Sequence, residues 1–160
     1  MDPVKIQYRP ATMRDMEAVL RLWGAMMDFH QNNDPRIQLA PGALNAYRAY
    51  ASYQVNRDDA FLHVAESGGD VIGFILLSIS RNLPMFEPPL YGYLSDLTVD
   101  AGWRRRGIGR ELVRRGCEWL RRHNVTTVQL QFYQFNRQGE SFWRAVGFEP
   151  YYTRMWLDIP

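Results

Sequence analysis

Three consecutive arginines and two glycines stand between a predicted strand and a predicted helix, in the segment 99–109, V-D-A-G-W-R-R-R-G-I-G. The first turn of a helix has free backbone N–H groups and the positive end of the helix dipole, so it attracts phosphate. Gly107 and Gly109 lack a Cβ, which lets the backbone approach a ligand. The arginines add positive charge. The segment therefore predicts a diphosphate-binding turn, and a tight turn with solvated arginines is the alternative.

Two well-known phosphate-binding motifs do not fit this turn. A P-loop needs a lysine directly after its last glycine, and no lysine stands near Gly109. A dinucleotide-binding fingerprint needs a third glycine three residues after Gly109, where the chain has Leu112. That fingerprint also follows the first strand of its domain, whereas this turn comes late in the chain. Both motifs are therefore disfavoured.

The composition is that of an ordinary globular domain, with 160 residues, 46% hydrophobic and 22% charged. We expect residues 1–160 to form a single domain. The net charge of +2 argues against a nucleic-acid-binding protein, and no apolar run approaches the ~18 residues of a membrane span. The chain starts without the apolar segment of a signal peptide, and its one cysteine is Cys117. We therefore expect a cytoplasmic protein with no intramolecular disulfide and no metal site.

Hydrophobic periodicity predicts seven strands and four helices along the chain. One helix follows Thr12, a second follows Pro41, a third follows the arginine turn from Ile108, and a short fourth runs from Asn136 to Val146. The order β-α-α-β-β-β-α-β-α-β-β predicts an α/β fold of the α+β type, with a mixed, mostly antiparallel sheet flanked by helices. The strands are expected at Val4–Arg9, Ala60–Glu66, Val71–Ser80, Tyr91–Val99, Thr126–Tyr133, Phe148–Tyr152 and Thr153–Ile159.

Two segments of this chain resemble the GNAT superfamily of N-acyltransferases. Residues 104–109 match its signature of Gln or Arg, two residues, Gly, one residue, then Gly or Ala. The strand segment Leu97–Val99 looks like the one that leads into that signature. A second family element follows farther along the chain and fits at Asn136, Gly139, Phe142, Gly147 and Phe148. Its one departure is Trp143, where many members have a tyrosine. The resemblance covers the whole chain and implies a single GNAT-like domain.

The resemblance implies acetyl-CoA, or another acyl-CoA, as co-substrate. In such proteins the backbone N–H groups of the turn, here Arg105–Arg110, hold the CoA diphosphate. Arginine side chains near the turn could also reach the adenosine 3′-phosphate. The pantetheine lies between two splayed strands, here those ending at Val99 and Tyr133. The acyl-CoA-binding residues expected from the resemblance are Leu97, Thr98, Val99, Arg104, Arg105, Arg106, Gly107, Ile108, Gly109, Arg110, Asn136 and Trp143.

The implied reaction is N-acetyl transfer, in which a neutral primary amine attacks the thioester carbonyl directly. An alkylamine with a pKa of ~10 is mostly protonated at pH 7, so it must first lose a proton. A backbone N–H near Leu97 or Thr98 could stabilise the developing oxyanion. Many relatives place an acid at the tyrosine that Trp143 replaces here, so that role does not carry over. Tyr133 is a candidate donor in its place, with Tyr151 and Tyr152 as alternatives.

The proton acceptor is the second open question. Relatives often carry it on the strand before the turn, on the face expected for Tyr93 and Ser95, neither of which is a good base. Asp96 resembles an acidic residue of polyamine-type members, but strict alternation points it away from Tyr93 unless a β-bulge turns it. The candidate catalytic residues are therefore Asp96, Tyr93 and Tyr133. The alternative bases are Glu87 and His30.

The acceptor side is expected from residues 29–40, 81–91 and 151–155, which carry Asp34, Glu87 and many aromatic side chains. This composition suits a cationic amine with an apolar body, on a small molecule or on a peptide or protein. Homodimers are common among relatives, so the resemblance also allows a homodimer. A catalytically weak or inactive acyl-CoA-binding protein of the same fold is the alternative, motivated by the departures at Tyr93, Ser95 and Trp143.

Overall fold

The computed structural model describes residues 5–160, so Val4, which was expected to start the first strand, lies outside the described part. The described residues form five strands and four helices, joined by turns and two short 3₁₀ segments. In chain order the elements are β1 (Ile6–Pro10), α1 (Met16–Asn33), α2 (Ala43–Gln54), β2 (Ala60–Ser67), β3 (Asp70–Arg81), β4 (Leu90–Val99), α3 (Ile108–Arg122), β5 (Val128–Leu130) and α4 (Arg137–Ala145).

The strands lie in one sheet in the order β1-β2-β3-β4-β5. The first four strands pair antiparallel with their neighbours, whereas β5 runs parallel to β4. A parallel pair needs a long crossover, which α3 supplies. The predicted fold class, a mixed and mostly antiparallel sheet flanked by helices, is confirmed.

Helices cover both faces of the sheet because both carry apolar side chains. Alternate residues of β2 and β3 face opposite sides, so each face has its own core. We call the side of α1 and α2 the acceptor face and the side of α3 the donor face, after the acceptor residues expected at 29–40 and the acyl-CoA-binding turn expected before α3. The acceptor face buries Met16, Val19, Leu20, Trp23 and Tyr47 of the helices against Leu62, Val64, Phe74 and Leu76. The donor face buries Ile108, Leu112, Val113 and Leu120 against Phe61, Ile75, Leu77 and Leu94.

The two strands predicted at the carboxyl-terminal end, Phe148–Tyr152 and Thr153–Ile159, do not form in the described structure. The strand predicted at Thr126–Tyr133 is also shorter, since only Val128–Leu130 pairs with β4. Tyrosine, tryptophan and isoleucine stabilise a strand only where it can pair with the edge of a sheet. These residues have no such partner among the described residues, so the prediction of two strands was wrong. The segment stays beside the end of β5 through a hydrogen bond from Gln131 Nε2 to Tyr152 Oη of 2.6 Å. Its large apolar side chains are exposed at Tyr151, Tyr152, Met155, Trp156, Leu157 and Ile159.

No helix in the described range, residues 5–160, combines the length and the apolar character that crossing a membrane would need.

Candidate active site

A cleft opens in the sheet where β4 and β5 part. The two strands pair over three residues, and the last partners are Leu94 and Leu130. Beyond them β4 continues to Val99, while the chain after β5 leaves the sheet. The edge of β4 that faced β5 is therefore free along residues 95–99 within the described structure. Leu97, Thr98 and Val99, which the sequence predicted as ligand-binding backbone, all lie on this free edge.

A β-bulge in β4 lies at the start of the cleft. Leu77 of β3 pairs with Leu94, but the next residue, Leu76, pairs with Asp96, so Ser95 has no partner. Residues opposite each other on paired strands point to the same face. Asp96 therefore shares the acceptor face with Leu76. Tyr93 pairs with Ser78, two residues from Leu76, and lies on the same face. Strict alternation would have separated Tyr93 from Asp96, and the bulge brings them together.

Asp96 is a buried carboxyl group, 8% exposed, on this acceptor face. Burial raises its pKa, and the neighbouring hydroxyls of Ser95 and Tyr47 offset that rise only in part. No cationic side chain is among the groups that shift its pKa. The other two buried carboxylates differ, because Asp15 pairs with Arg9 and Asp34 pairs with Arg36. Asp96 is thus a buried carboxyl group without a positive partner among the described residues.

The arginine turn directly follows the free edge of β4. A 3₁₀ segment, Ala101–Trp103, follows Val99, and α3 begins at Ile108 with Gly107 as its N-cap. The backbone is left-handed at Arg105, with φ of 60°, and at Gly107, with φ of 80°. Within the described structure, the N–H groups of residues 105–110 donate no hydrogen bond to the protein, and the first to do so is Glu111, to Gly107 at 3.0 Å. Successive free N–H groups at a helix N-terminus are a binding site for an anion.

The arginines of the turn form no ion pair with a carboxylate among the described residues. The Arg104 Nε donates to the Val99 carbonyl at 3.0 Å, and the Arg106 guanidinium lies 4.8 Å from the centre of the Trp103 ring. Across residues 5–160, the ion pairs include none to Arg104, Arg105, Arg106 or Arg110. Farther along α3 the arginines are paired, as Arg114 and Arg115 both contact Glu111. The positive charge at the start of α3 is therefore available to a ligand.

Helix α4 packs against the start of α3. A Cβ added at Gly109 would lie 3.2 Å from the Phe142 ring, so glycine there permits this close contact. Asn136 caps α4, since its Oδ1 accepts a hydrogen bond from the Gly139 N–H at 2.9 Å. Trp143 packs edge-on against Phe142, with ring centres 4.9 Å apart. The structure thus gives Asn136 and Trp143 structural contacts at this end of the donor face, and their ligand-binding roles stay predictions.

On the acceptor face, aromatic rings from α1 and from the chain after β5 meet at the cleft. His30 lies edge-on to Tyr133, with ring centres 5.0 Å apart, and Phe29 and Phe135 complete the cluster. Burial lowers the pKa of His30, so its imidazole is neutral at pH 7. Tyr133, a predicted catalytic residue, is therefore brought to this cluster, whereas Tyr93 lies beside Asp96.

Two acceptor-side carboxylates predicted from the sequence, Asp34 and Glu87, are not placed to contact a substrate at the cleft. Asp34 is ion-paired with Arg36 at 2.6 Å. Glu87 lies in the connection before β4, at the end of that strand opposite to the cleft. By contrast, Tyr47 on α2 was not among the residues predicted from the sequence. A tyrosine on a buried helix face was the available signal, because its hydroxyl needs a partner.

No group of three or more His, Cys, Asp or Glu side chains within the described residues is arranged to hold a metal ion.

Residues 20–148 match the sequence model of the Acetyltransferase (GNAT) family. The chain belongs to this family. It is 27% identical over 155 residues to the tRNA(Met) cytidine acetyltransferase TmcA of Aeropyrum pernix. The matched region covers 94% of this chain and 21% of TmcA. The chain spans less than half the length of each of two curated relatives, at 21% and 45%.

Solved structures show the same GNAT fold. A tetramutant of the BH1408 protein of Bacillus halodurans superposes with a TM-score of 0.86 at 23% identity, covering 96% of this chain and 99% of that chain. The aminoglycoside N-acetyltransferase AAC(6')-Iy in complex with CoA gives a TM-score of 0.76 at 19% identity, covering 98% and 96%. At these identities the likenesses establish the architecture alone.

Proposed function

We propose that this GNAT protein is an N-acetyltransferase that moves an acetyl group from acetyl-CoA to the primary amine of a cationic acceptor. The observation that carries the proposal is the turn at residues 105–110, whose N–H groups have no partner in the described protein. This turn directly follows a strand edge that is free along residues 95–99. An elongated anionic ligand with an amide-bearing arm matches both features. The CoA complex of the similar AAC(6')-Iy supports the same donor.

The donor site in this proposal has three parts. The N–H groups of the turn and the side chains of Arg104, Arg105, Arg106 and Arg110 bind phosphates. The backbone of Leu97–Val99 pairs with the pantetheine amides. Helix α4 forms the wall beside the turn. Asn136 stabilises this wall by capping α4, and Trp143 stabilises it by packing against Phe142. Gly107 keeps the turn open to the ligand, because a Cβ added there would meet no protein atom within 4 Å. The side chain of Ile108 is buried in the donor-face core and anchors the turn.

The chemistry follows from groups on the two sides of the cleft. Acetyl-CoA supplies a thioester, whose carbonyl carbon is open to attack by an amine. Asp96 is well suited to take a proton from the acceptor ammonium, because burial raises its pKa and makes it a stronger base than an exposed aspartate. A backbone N–H of Leu97 or Thr98 donates to the oxygen that becomes negative. Tyr93 lies on the same face as Asp96 and lines the acceptor side.

The leaving thiolate needs little help. A thiol with a pKa of ~8.5 is a fair leaving group, so the proposal does not depend on an acid at Trp143. Tyr133 is the candidate donor of a proton to the sulfur, since its ring is 42% exposed beside the cleft. Trp143 packs on the donor face and has no useful acid–base chemistry.

The acceptor class follows from charge and aromatic surroundings. Asp96 attracts an ammonium group, and tyrosine rings favour cations by cation–π attraction. Named relatives differ in acceptor, as TmcA is a tRNA cytidine acetyltransferase and AAC(6')-Iy is an aminoglycoside N-acetyltransferase. We propose a small or peptide-borne primary amine here.

Free-thiol release from acetyl-CoA, measured with amino acids, polyamines, aminoglycosides, peptide amino termini and tRNA as acceptors, tests the activity. A matched pair of variants tests the donor site. Gly107→Ala and Gly69→Ala place a methyl group at left-handed positions, with φ of 80° and 92°, and neither methyl meets a protein atom within 4 Å. Each substitution should cost about 1 kcal/mol of stability. Gly107→Ala alone should weaken CoA binding by about 10-fold or more, because its methyl group competes with the diphosphate.

Equal CoA affinity in folded Gly107→Ala and Gly69→Ala proteins would remove the turn from the donor site. Tight CoA binding by the wild type without thiol release from any acceptor would instead favour the acyl-CoA-binding alternative. Calorimetric titration of CoA distinguishes these outcomes.

A further inference from the structure

Two polar groups on the acceptor face are buried without a protein partner that satisfies them. The Tyr47 hydroxyl is buried and makes no hydrogen bond within the described residues. Asp96, close to it, has no cationic partner there. Burial raises the pKa of Tyr47, and the neighbouring Asp96 carboxylate raises it further. The two groups therefore lie close to each other, yet the Tyr47 hydroxyl forms no hydrogen bond of normal geometry in the described structure, and no cation balances Asp96 there.

Packing fixes the Tyr47 ring. It stacks on Trp23 of α1 with ring centres 4.2 Å apart and planes 11° from parallel. Only 8% of Tyr47 is exposed, so the ring has little freedom to turn its hydroxyl elsewhere. The hydroxyl is thus presented by α2 to the bulged part of β4.

Tyrosines surround this pair. Tyr50, one turn along α2, lies with its ring centre 5.9 Å from that of Tyr47. Burial raises the pKa of Tyr93, and Tyr152, Asp96 and Tyr50 each raise it further, so these groups lie around Tyr93. Asp96 therefore has Tyr47 and Tyr93 as neighbours, and further tyrosines of α2 and the carboxyl-terminal segment lie around them.

An unpaired buried hydroxyl and an unpaired buried carboxylate both destabilise a fold. A primary ammonium group removes both penalties at once. It has three N–H donors and one positive charge, so one N–H can bind the carboxylate and a second can bind the phenol oxygen, while the aromatic faces attract the cation. A neutral alcohol has a single donor and no charge, so it satisfies the pair less well.

We propose that Tyr47 and Asp96 together form the ammonium-binding site of the acceptor, which makes Tyr47 an acceptor-binding residue and primary alkylammonium ions the substrate class. The inference rests on the proposed transfer function. Asp96 takes one proton from the ammonium, and the freed lone pair forms the bond to the acyl carbon. The carbon–sulfur bond breaks, the sulfur takes a proton from Tyr133, and the second proton of the nitrogen replaces the one that Tyr133 gave. Asp96 then returns its proton to solvent.

The test uses Tyr47→Phe, which keeps the ring against Trp23 and removes only the hydroxyl. Its control is Tyr53→Phe, since Tyr53 lies on the same helix and is 65% exposed. Butylammonium is the probe and 1-butanol its neutral match, with binding followed by NMR shifts of the full-length protein. We expect the wild type and Tyr53→Phe to prefer butylammonium by at least about 10-fold. Tyr47→Phe should lose about 10-fold in butylammonium affinity, the scale of a hydrogen bond to a charged group, and keep its CoA affinity.

The free energy of unfolding in urea distinguishes a binding role of the Tyr47 hydroxyl from a structural one. If the hydroxyl serves binding, Tyr47→Phe should be as stable as the wild type or more stable, because a buried unpaired hydroxyl is removed. A clear loss of stability, or unchanged butylammonium affinity in the variant, would overturn the inference. If butylammonium binds as expected but no acyl transfer occurs with any amine, the proposed function fails and the ammonium site stands.

Discussion

The stability of this protein should fall when the pH is lowered from 7.5 to 5.0, and His63 should account for much of the loss. His63 lies on β2, stacked on Phe61 with ring centres 3.7 Å apart. Its Nδ1 is buried without a hydrogen-bond partner among the described residues. Burial, with a smaller contribution from the positive charge of Arg115, lowers the pKa of His63 from 6.5 to about 4.

The sign follows from which state takes up the proton. At pH values between about 4 and 6.5 the unfolded chain protonates His63 and the folded protein does not. Its contribution to stability is therefore complete above pH 6.5 and is lost as the pH falls towards 4. The full shift corresponds to about 3 kcal/mol, and about 2 kcal/mol of it would be lost by pH 5. Because part of the ring reaches solvent, we expect about 1 to 2 kcal/mol.

Urea unfolding at the two pH values measures this loss. His63→Phe keeps an aromatic ring against Phe61 and cannot be protonated, so its stability should fall by about 1 to 2 kcal/mol less than that of the wild type. His123→Gln, at an exposed histidine, should retain the pH dependence of the wild type. If His63→Phe and the wild type lose the same free energy of unfolding, the reasoning about burial at His63 is refuted.

Substitutions at two further residues test the candidate site. Asp96→Asn should raise the free energy of unfolding at pH 7, because the raised pKa means that ionised Asp96 destabilises the folded state and asparagine carries no charge. The same variant should lower thiol release about 100-fold or more, and a loss of stability in urea would contradict the argument. Asn136→Ala should cost about 1 kcal/mol by removing the cap on the Gly139 N–H, whereas Asn136→Ser, which still caps, should cost less in the same urea measurement.

Local pattern was sufficient to predict the helices and the glycine turn before α3. Met16, Val19 and Trp23 recur at helical spacing and are buried on one side of α1. Gly107 was predicted to stand at the start of a helix, and its left-handed backbone is a conformation that glycine adopts without strain. Such features depend on a few adjacent residues, so the sequence reveals them directly.

The carboxyl-terminal strands and the bulge depend on partners that are distant in the chain. Tyr151 and Trp156 favour a strand, yet a strand needs an edge to pair with, and the structure leaves both side chains exposed. The unpaired position of Ser95 follows from how β3 and β4 align over many residues, with Leu76 and Leu77 as the decisive partners. Single-residue propensities contain no such information, so the face on which Asp96 lies could not be fixed from sequence.

That one-residue bulge determines how the two substrates can meet in the proposed reaction. The turn proposed to bind phosphate lies at the start of α3, which packs on the donor face, whereas Tyr47 lies on the acceptor face. The interrupted edge of the sheet connects the two faces, because β4 leaves β5 directly after Leu94. Because Ser95 is skipped at this point, Asp96 faces Tyr47 while the following backbone stays free for the donor. In the proposed reaction, the bulge therefore places Asp96 to accept the proton. It also leaves the edge of β4 free, so that the acyl carbon can reach the acceptor nitrogen.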